Sequence, residues 1–156
     1  MKIKINDGGR ADAGFSGKAR DCVCRALAIA TKRPYAEIYH RLAEGNANQR
    51  ITRRTKRSTA GKRTARSGIY TKRKWFSDYM AELGFVWTPT MFIGQGCKVH
   101  LRKGELPTGR LVVNVSRHLC AVINGVLHDT HDCTRGGKRC VYGYWKLMKS
   151  VGAKRH

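Results

Sequence analysis

Arg117-His-Leu-Cys-Ala-Val-Ile-Asn-Gly-Val-Leu-His-Asp-Thr130 sets an Asn-Gly pair between two apolar runs. This is a strong hairpin signal, because a tight type I′ turn needs two adjacent residues that tolerate positive φ. A two-residue loop at Asn124-Gly125 fixes the register. Ile123 falls opposite Val126, Val122 opposite Leu127, Ala121 opposite His128, Cys120 opposite Asp129 and His118 opposite His131. Side chains alternate between faces, so His118, Cys120, Asp129 and His131 share one. Asp129 is then a diagonal neighbour of His118, close enough to hydrogen-bond the imidazole.

Outward from this hairpin, β-branched and apolar segments at 85–88, 91–93, 110–116, 118–123, 126–130 and 140–146 alternate with turn residues and predict a mainly antiparallel sheet. The first half of the chain reads as helix. Asp21 stands at a capping position, and Val23, Ala26, Leu27 and Ala30 recur at helical spacing to about Thr31. Pro34 opens a second helix with the stripe Tyr35, Ile38, Tyr39 and Leu42, predicted to fade at Glu44-Gly45. A third helix runs from Thr71 through Trp75, Phe76, Tyr79, Met80 and Leu83 to a stop at Gly84. Helices first and strands afterwards indicate an α+β fold with N-terminal helices packed on the sheet.

The 156 residues suit one domain, with a basic flexible insertion at about 46–70. Thirty-two Lys and Arg against ten Asp and Glu give a net charge of +22, a field that attracts polyanions. Eleven of those cations fall within residues 50–74, where there is no acid: Arg50, Arg53, Arg54, Lys56, Arg57, Lys62, Arg63, Arg66, Lys72, Arg73 and Lys74. They are the residues expected to contact a nucleic acid or an acidic protein; the competing reading is an exposed, solvated insertion. No apolar run suffices to cross a bilayer and no hydrophobic leader is present, so a cytoplasmic chain with six free thiols is expected. Arg135, Lys138 and Arg139 extend the basic surface, and Tyr142, Tyr144 and Trp145 are assigned to packing of the last strand.

Cys22 follows directly on Asp21, in the first helical turn, where unpaired N–H groups and the helix dipole favour a thiolate. Cys24 is turned about 200° away. With an imidazole oriented by a carboxylate, Cys22 has what a thiol nucleophile requires; His131 is the rival base, and Asp132 lies on the wrong side. The segment Asp21-Cys-Val-Cys-Arg-Ala-Leu-Ala-Ile-Ala-Thr31, with a late His on one strand and an Asp on the next, resembles papain-like cysteine peptidases. The pattern is nearest to bacteriocin-leader peptidases and similar uncharacterised phage and bacterial proteins.

The resemblance implies a papain-like fold and a Cys-His-Asp triad acting on an amide or thioester carbonyl of a polypeptide or acyl substrate. Cys22 would be the nucleophile, His118 the base and then acid, and Asp129 the orienting group, without a cofactor. The loop from Gly8 to Asp21 has neither Gln nor Asn to donate to an oxyanion, which leaves Ser16 or Lys18 beside the Cys22 backbone N–H. The alternative is a papain-like fold with weak or no catalysis that binds nucleic acid. Cys22, Cys24, Cys120, Cys133, Cys140, His128 and His131 are of the residue types that bind zinc, but their spacing is poor for a zinc site, so no metal is expected.

Overall fold

The computed structural model describes residues 1–14, 21–48 and 71–148. Three helices, α1 (Cys22–Thr31), α2 (Tyr35–Asn48) and α3 (Lys74–Leu83), accompany six strands: β1 (Lys2–Ile5), β2 (Phe85–Pro89), β3 (Arg110–Val115), β4 (His118–Ile123), β5 (Val126–Asp129) and β6 (Val141–Leu147). One mixed sheet has the order β1-β5-β4-β3-β6-β2. All its pairings are antiparallel except β1 on β5. The fold is therefore α+β, as the order of helical and strand patterns predicts.

The hairpin between β4 and β5 has the register read from the sequence for its three ladder pairs, Ala121 with His128, Val122 with Leu127 and Ile123 with Val126. Asn124 and Gly125 take φ of 48° and 80°, the left-handed pair that a type I′ turn demands. Alternation along the strands divides the apolar residues between two faces. Val112, Leu119 and Ala121 meet the helices through Val23, Leu27, Ile38 and Phe76. Leu111, Val113, Cys120, Val122 and Leu127 face the opposite way, where Leu101, Cys133 and Val141 cover them.

Helix α1 is almost wholly buried, and its alanines at 26, 28 and 30 let its backbone lie close to the sheet. Its C-terminal carbonyls are satisfied from outside the helix: Arg110 Nε donates to Ala30 O at 2.6 Å and its Nη2 to Ile29 O at 2.8 Å. A cation at that end also opposes the helix dipole.

Several expectations are corrected. Helix α2 does not stop at Gly45 but continues to Asn48, so residues 46–48 belong to the helix and not to an insertion. Gly45 is there because the indole of Trp75 lies on it: a Cβ would fall 2.3 Å from the ring. Residues 91–93 form no strand; the chain leaves the sheet after Pro89, and Ile93 is fully exposed in a turn. Strand β1 was not foreseen. Cys97 and Cys140 form a disulfide, their Cα atoms 5.8 Å apart, whereas free thiols were expected. The cause is tertiary, since a bridge between His100 and Cys140 draws the 97–101 segment alongside β6. Cys22, Cys24, Cys120 and Cys133 are free.

Candidate active site

Cys22 opens α1 and lies beside the start of β4. Its thiol faces the His118 imidazole, with the Leu119 backbone N–H close by. Beyond Ala121 and His128 the β4–β5 ladder stops, while β3 continues to pair with Leu119 and His118 and holds the start of β4 in the sheet. Burial alone raises the thiol pKa, but the His118 contact, the Leu119 N–H and the charges of His118 and Arg25 outweigh it and hold the thiol below its usual range. Cys24 points elsewhere, its thiol donating to Tyr35 O, and burial pushes it up to about 12.

His118 Nε2 and Asp129 Oδ2 are 2.6 Å apart. Burial disfavours the charged ring, but hydrogen bonds with Asp129, Cys133 and Cys22 prevail and hold it protonated up to about 11. The Asp129 carboxyl stays below the usual range because His118, the Thr130 N–H and Arg25 outweigh its burial. With Nε2 on the carboxylate, Nδ1 is the ring nitrogen left for exchange with Cys22. His131, the rival base, is exposed, with its ring centroid 5.5 Å from that of His118, and meets Thr130 instead of Asp129. Asp132 turns away to hold Thr134 through its N–H and hydroxyl.

Behind this chain of contacts lies a buried ionic frame. Asp21 does occupy the N-cap position, but its side chain makes no cap hydrogen bond. It accepts instead from Tyr35 Oη at 2.6 Å, pairs with Arg10 Nε at 3.0 Å, and accepts from Arg25 Nη1. Arg25 Nη2 reaches to 3.6 Å from Asp129 Oδ1. The spacing Asp-Cys-x-x-Arg thus sets a cation between the aspartate before Cys22 and the aspartate behind His118. Comparison of the chain with protein-family models, with curated proteins and with solved structures gave no match.

The site opens on a cleft of about 610 Å³ with Asn114, Tyr142 and the exposed cations Lys72 and Arg117 among its walls. A neighbouring recess of about 350 Å³, lined by Met80, Phe85, Trp87 and Trp145, shares Thr71, Lys72 and Asn114 with it. Lys74 pairs with Asp78 at 2.9 Å. The oxyanion candidates Ser16 and Lys18 and the basic residues Arg50, Arg53, Arg54, Lys56, Arg57, Lys62, Arg63 and Arg66 lie outside the described residues. Among the described residues no helix is long and apolar enough to cross a membrane.

Sequence reasoning did not place two groups beside the site. Arg139, assigned to the basic surface, is instead folded inward: it donates to the carbonyls of Ser116 and Cys133 and so ties down the turn before His118. Cys133, beyond the end of β5, brings a second sulfur to the ring. Its thiol, Nε2 or Nδ1 of His118 and a carboxylate oxygen of Asp129 lie within 4.8 Å of one another, a donor set that nothing in the spacing of the cysteines announced.

Proposed function

We propose that this chain is a papain-like thiol hydrolase that opens an acyl bond, amide or thioester, through Cys22, His118 and Asp129. One observation carries the reading: an unbroken line of contacts from a thiol at a helix N-terminus, through an imidazole, to a buried carboxylate. A thiol, an imidazole and a carboxylate in that order, the last two 2.6 Å apart, are the set that moves a proton to and from a sulfur nucleophile.

The chemistry follows from the arrangement. The Cys22 thiolate attacks the carbonyl carbon, and charge develops on the carbonyl oxygen beside the Cys22 backbone N–H, one of the α1 donors without an intrahelical partner. His118 gives its proton to the leaving amine or thiolate as the tetrahedral intermediate collapses to an acyl-enzyme. It then takes a proton from water, whose oxygen displaces the cysteine. Asp129 stays ionised throughout and fixes the ring. Asn114, from the cleft wall, supplies a carboxamide where the loop before Cys22 lacks one. Lys72 and Arg117 favour an acidic substrate, and the Trp87–Trp145 recess accepts an apolar group next to the reacting bond.

The reading is tested by alkylation. Cys22, followed by peptide mass spectrometry so that the other thiols are counted separately, is expected to react with iodoacetamide at mildly acidic pH far faster than a model thiol. His118→Ala abolishes the advantage. A Cys22 of ordinary reactivity refutes the proposal. The charge of +22 favours a second reading, the same fold serving to bind nucleic acid. It predicts affinity that falls steeply with salt and weakens when the cations of 50–74 are neutralised; salt-independent or absent binding refutes it.

A further inference from the structure

Hydrolysis through Cys22 uses one sulfur on the imidazole, yet the ring meets two. Cys133 is buried, with its sulfur within 4.8 Å of a ring nitrogen of His118 and a carboxylate oxygen of Asp129, and the buried thiol of Cys120 is its neighbour. Cys120 lies two residues from His118 on the same strand and same face, so sulfur, imidazole and carboxylate converge from three directions: β4, the end of β5 and the segment after it. We propose that His118, Asp129 and Cys133, with Cys120 adjoining, form a binding site for a soft divalent cation of the Zn²⁺ class, and that its occupation switches the hydrolase off.

The donor chemistry selects the ion. One imidazole nitrogen, one carboxylate oxygen and one or two thiolates suit zinc and its neighbours and do not suit magnesium or calcium, which take all-oxygen shells. Zn–N and Zn–S bonds of about 2.1 and 2.3 Å put tetrahedral ligands about 3.6 Å apart. Cys133 Sγ, within 4.8 Å of the other two donors, therefore needs to approach by about an ångström at most, while Nε2 and Oδ2, now 2.6 Å apart, open by a little under an ångström to admit the ion. Asp129 is prepared for the exchange. Its Oδ1 is held by the Thr130 N–H at 2.7 Å and by Arg25 at 3.6 Å, which leaves Oδ2 directed at the ring. The cation takes the place of the proton shared by Nε2 and Oδ2 and displaces one from the Cys133 thiol; both protons go to solvent.

The consequence for Cys22 rests on the hydrolase reading. With Nε2 on the metal, the ring keeps a single proton on Nδ1 and loses its orienting carboxylate, so it can no longer cycle between base and acid. The switch involves no movement of α1, and Cys22 is not among the ligands.

The closing experiment titrates the full chain with Co²⁺ as an optical reporter, with the Cys97–Cys140 disulfide left intact. The expected result is one ion per chain with thiolate-to-cobalt charge-transfer absorption, retained in Cys22→Ala with affinity within about threefold of the parent. Cys133→Ser weakens binding at least tenfold and removes most of that absorption; Asp129→Asn weakens it at least tenfold but leaves the sulfur signature at saturation. On the parent chain, Zn²⁺ slows Cys22 alkylation and a chelator restores it. Loss of the absorption in Cys22→Ala would overturn the proposal, since the ion would then sit on the nucleophile. So would undiminished binding by Cys133→Ser, or no binding by the parent. If Cys133→Ser fails to fold, the Cys22→Ala spectrum decides alone. Failure of the hydrolase reading is told apart by metal-free alkylation, which would then show an ordinary Cys22 while the cobalt spectrum was unaffected.

Discussion

Replacing Arg25 by methionine keeps most of the buried aliphatic stem while deleting the charge that joins Asp21 to Asp129. Asp21 is only 2% exposed, so it cannot turn to water for a new partner. It retains Tyr35 Oη at 2.6 Å and Arg10 Nε at 3.0 Å, and Asp129 retains His118 and the Thr130 N–H. One charge-assisted hydrogen bond is lost outright, about 1.5–3 kcal/mol. A buried pair broken on one side costs about 3–5 kcal/mol when the survivor has no other partner. With partial compensation on both carboxylates the expectation is a loss of about 2–4 kcal/mol.

In equilibrium urea unfolding, with a slope of about 2 kcal/mol per molar for a domain of this size, the midpoint falls by about 1–2 M. Asp21→Asn combined with Arg25→Met is expected to cost at least about 1 kcal/mol less than the sum of the single changes, because the double variant buries no uncompensated carboxylate at that position. The pH dependence has a definite sign. The Asp129 carboxyl is depressed in the folded chain, so its contribution is present above the unfolded value near 3.9 and is lost as pH falls through the folded one. The part of the Arg25→Met deficit carried through Asp129 therefore fades in acid. A deficit below about 0.5 kcal/mol at neutral pH, or strict additivity in the double variant, would refute the account of Arg25 as the bridge between the two aspartates.

Three further outcomes follow from other parts of the molecule. Gly45→Ala gains about 1 kcal/mol of helix propensity but sets a Cβ 2.3 Å from the Trp75 ring; overpacking of about 1–3 kcal/mol prevails, and thermal unfolding shows a lower midpoint unless Trp75 is replaced by a smaller residue as well. Arg110→Ala uncovers the last carbonyls of α1 and is expected to cost about 1–2 kcal/mol in urea, whereas Arg110→Lys keeps only the part owed to charge. Asn114→Ala is expected to lower turnover about 10²-fold while leaving the Cys22 alkylation rate unchanged; a parallel fall in both would assign Asn114 to holding the cleft together rather than to the developing oxyanion.

Much of the site was legible because it is written in short-range pattern. The Asn124-Gly125 turn pins the strand register, and a register with period two decides which side chains share a face. His118 and Asp129 could therefore be paired from the sequence, and they stand 2.6 Å apart. Cys22 was legible from its place after a capping residue at the start of an apolar helix. What escaped depends on contacts between distant segments. Strand β1, Lys2-Ile-Lys-Ile5, is exposed at every position. It exists because its backbone adds in parallel to β5, and no local alternation announces a pairing across more than a hundred residues. Cys133 and Arg139 lie in a turn-rich stretch after the hairpin, where sequence offset says nothing of direction.

Asp21 shows how a correct position can carry a mistaken role. An aspartate before a helix reads as a cap, its carboxylate taking a free N–H of the first turn, and here that reading fails at the side chain alone. Capping leaves an aspartate at the surface, whereas this one is enclosed by Tyr35, Arg10 and Arg25. A carboxylate buried so deeply does better with two guanidinium groups than with one amide N–H. The first-turn donors thereby stay uncapped by it, at the end of α1 that carries Cys22. An ordinary cap would satisfy those donors and steady the helix; forgoing it leaves their partial positive charge for the sulfur and, on the proposed hydrolase reading, for the oxygen of the substrate carbonyl. On this view Asp21→Ser, which restores an ordinary capping side chain, should lower Cys22 reactivity at acidic pH as well as stability. A variant that lost stability and kept full reactivity would show that the uncapped donors contribute nothing to the thiolate.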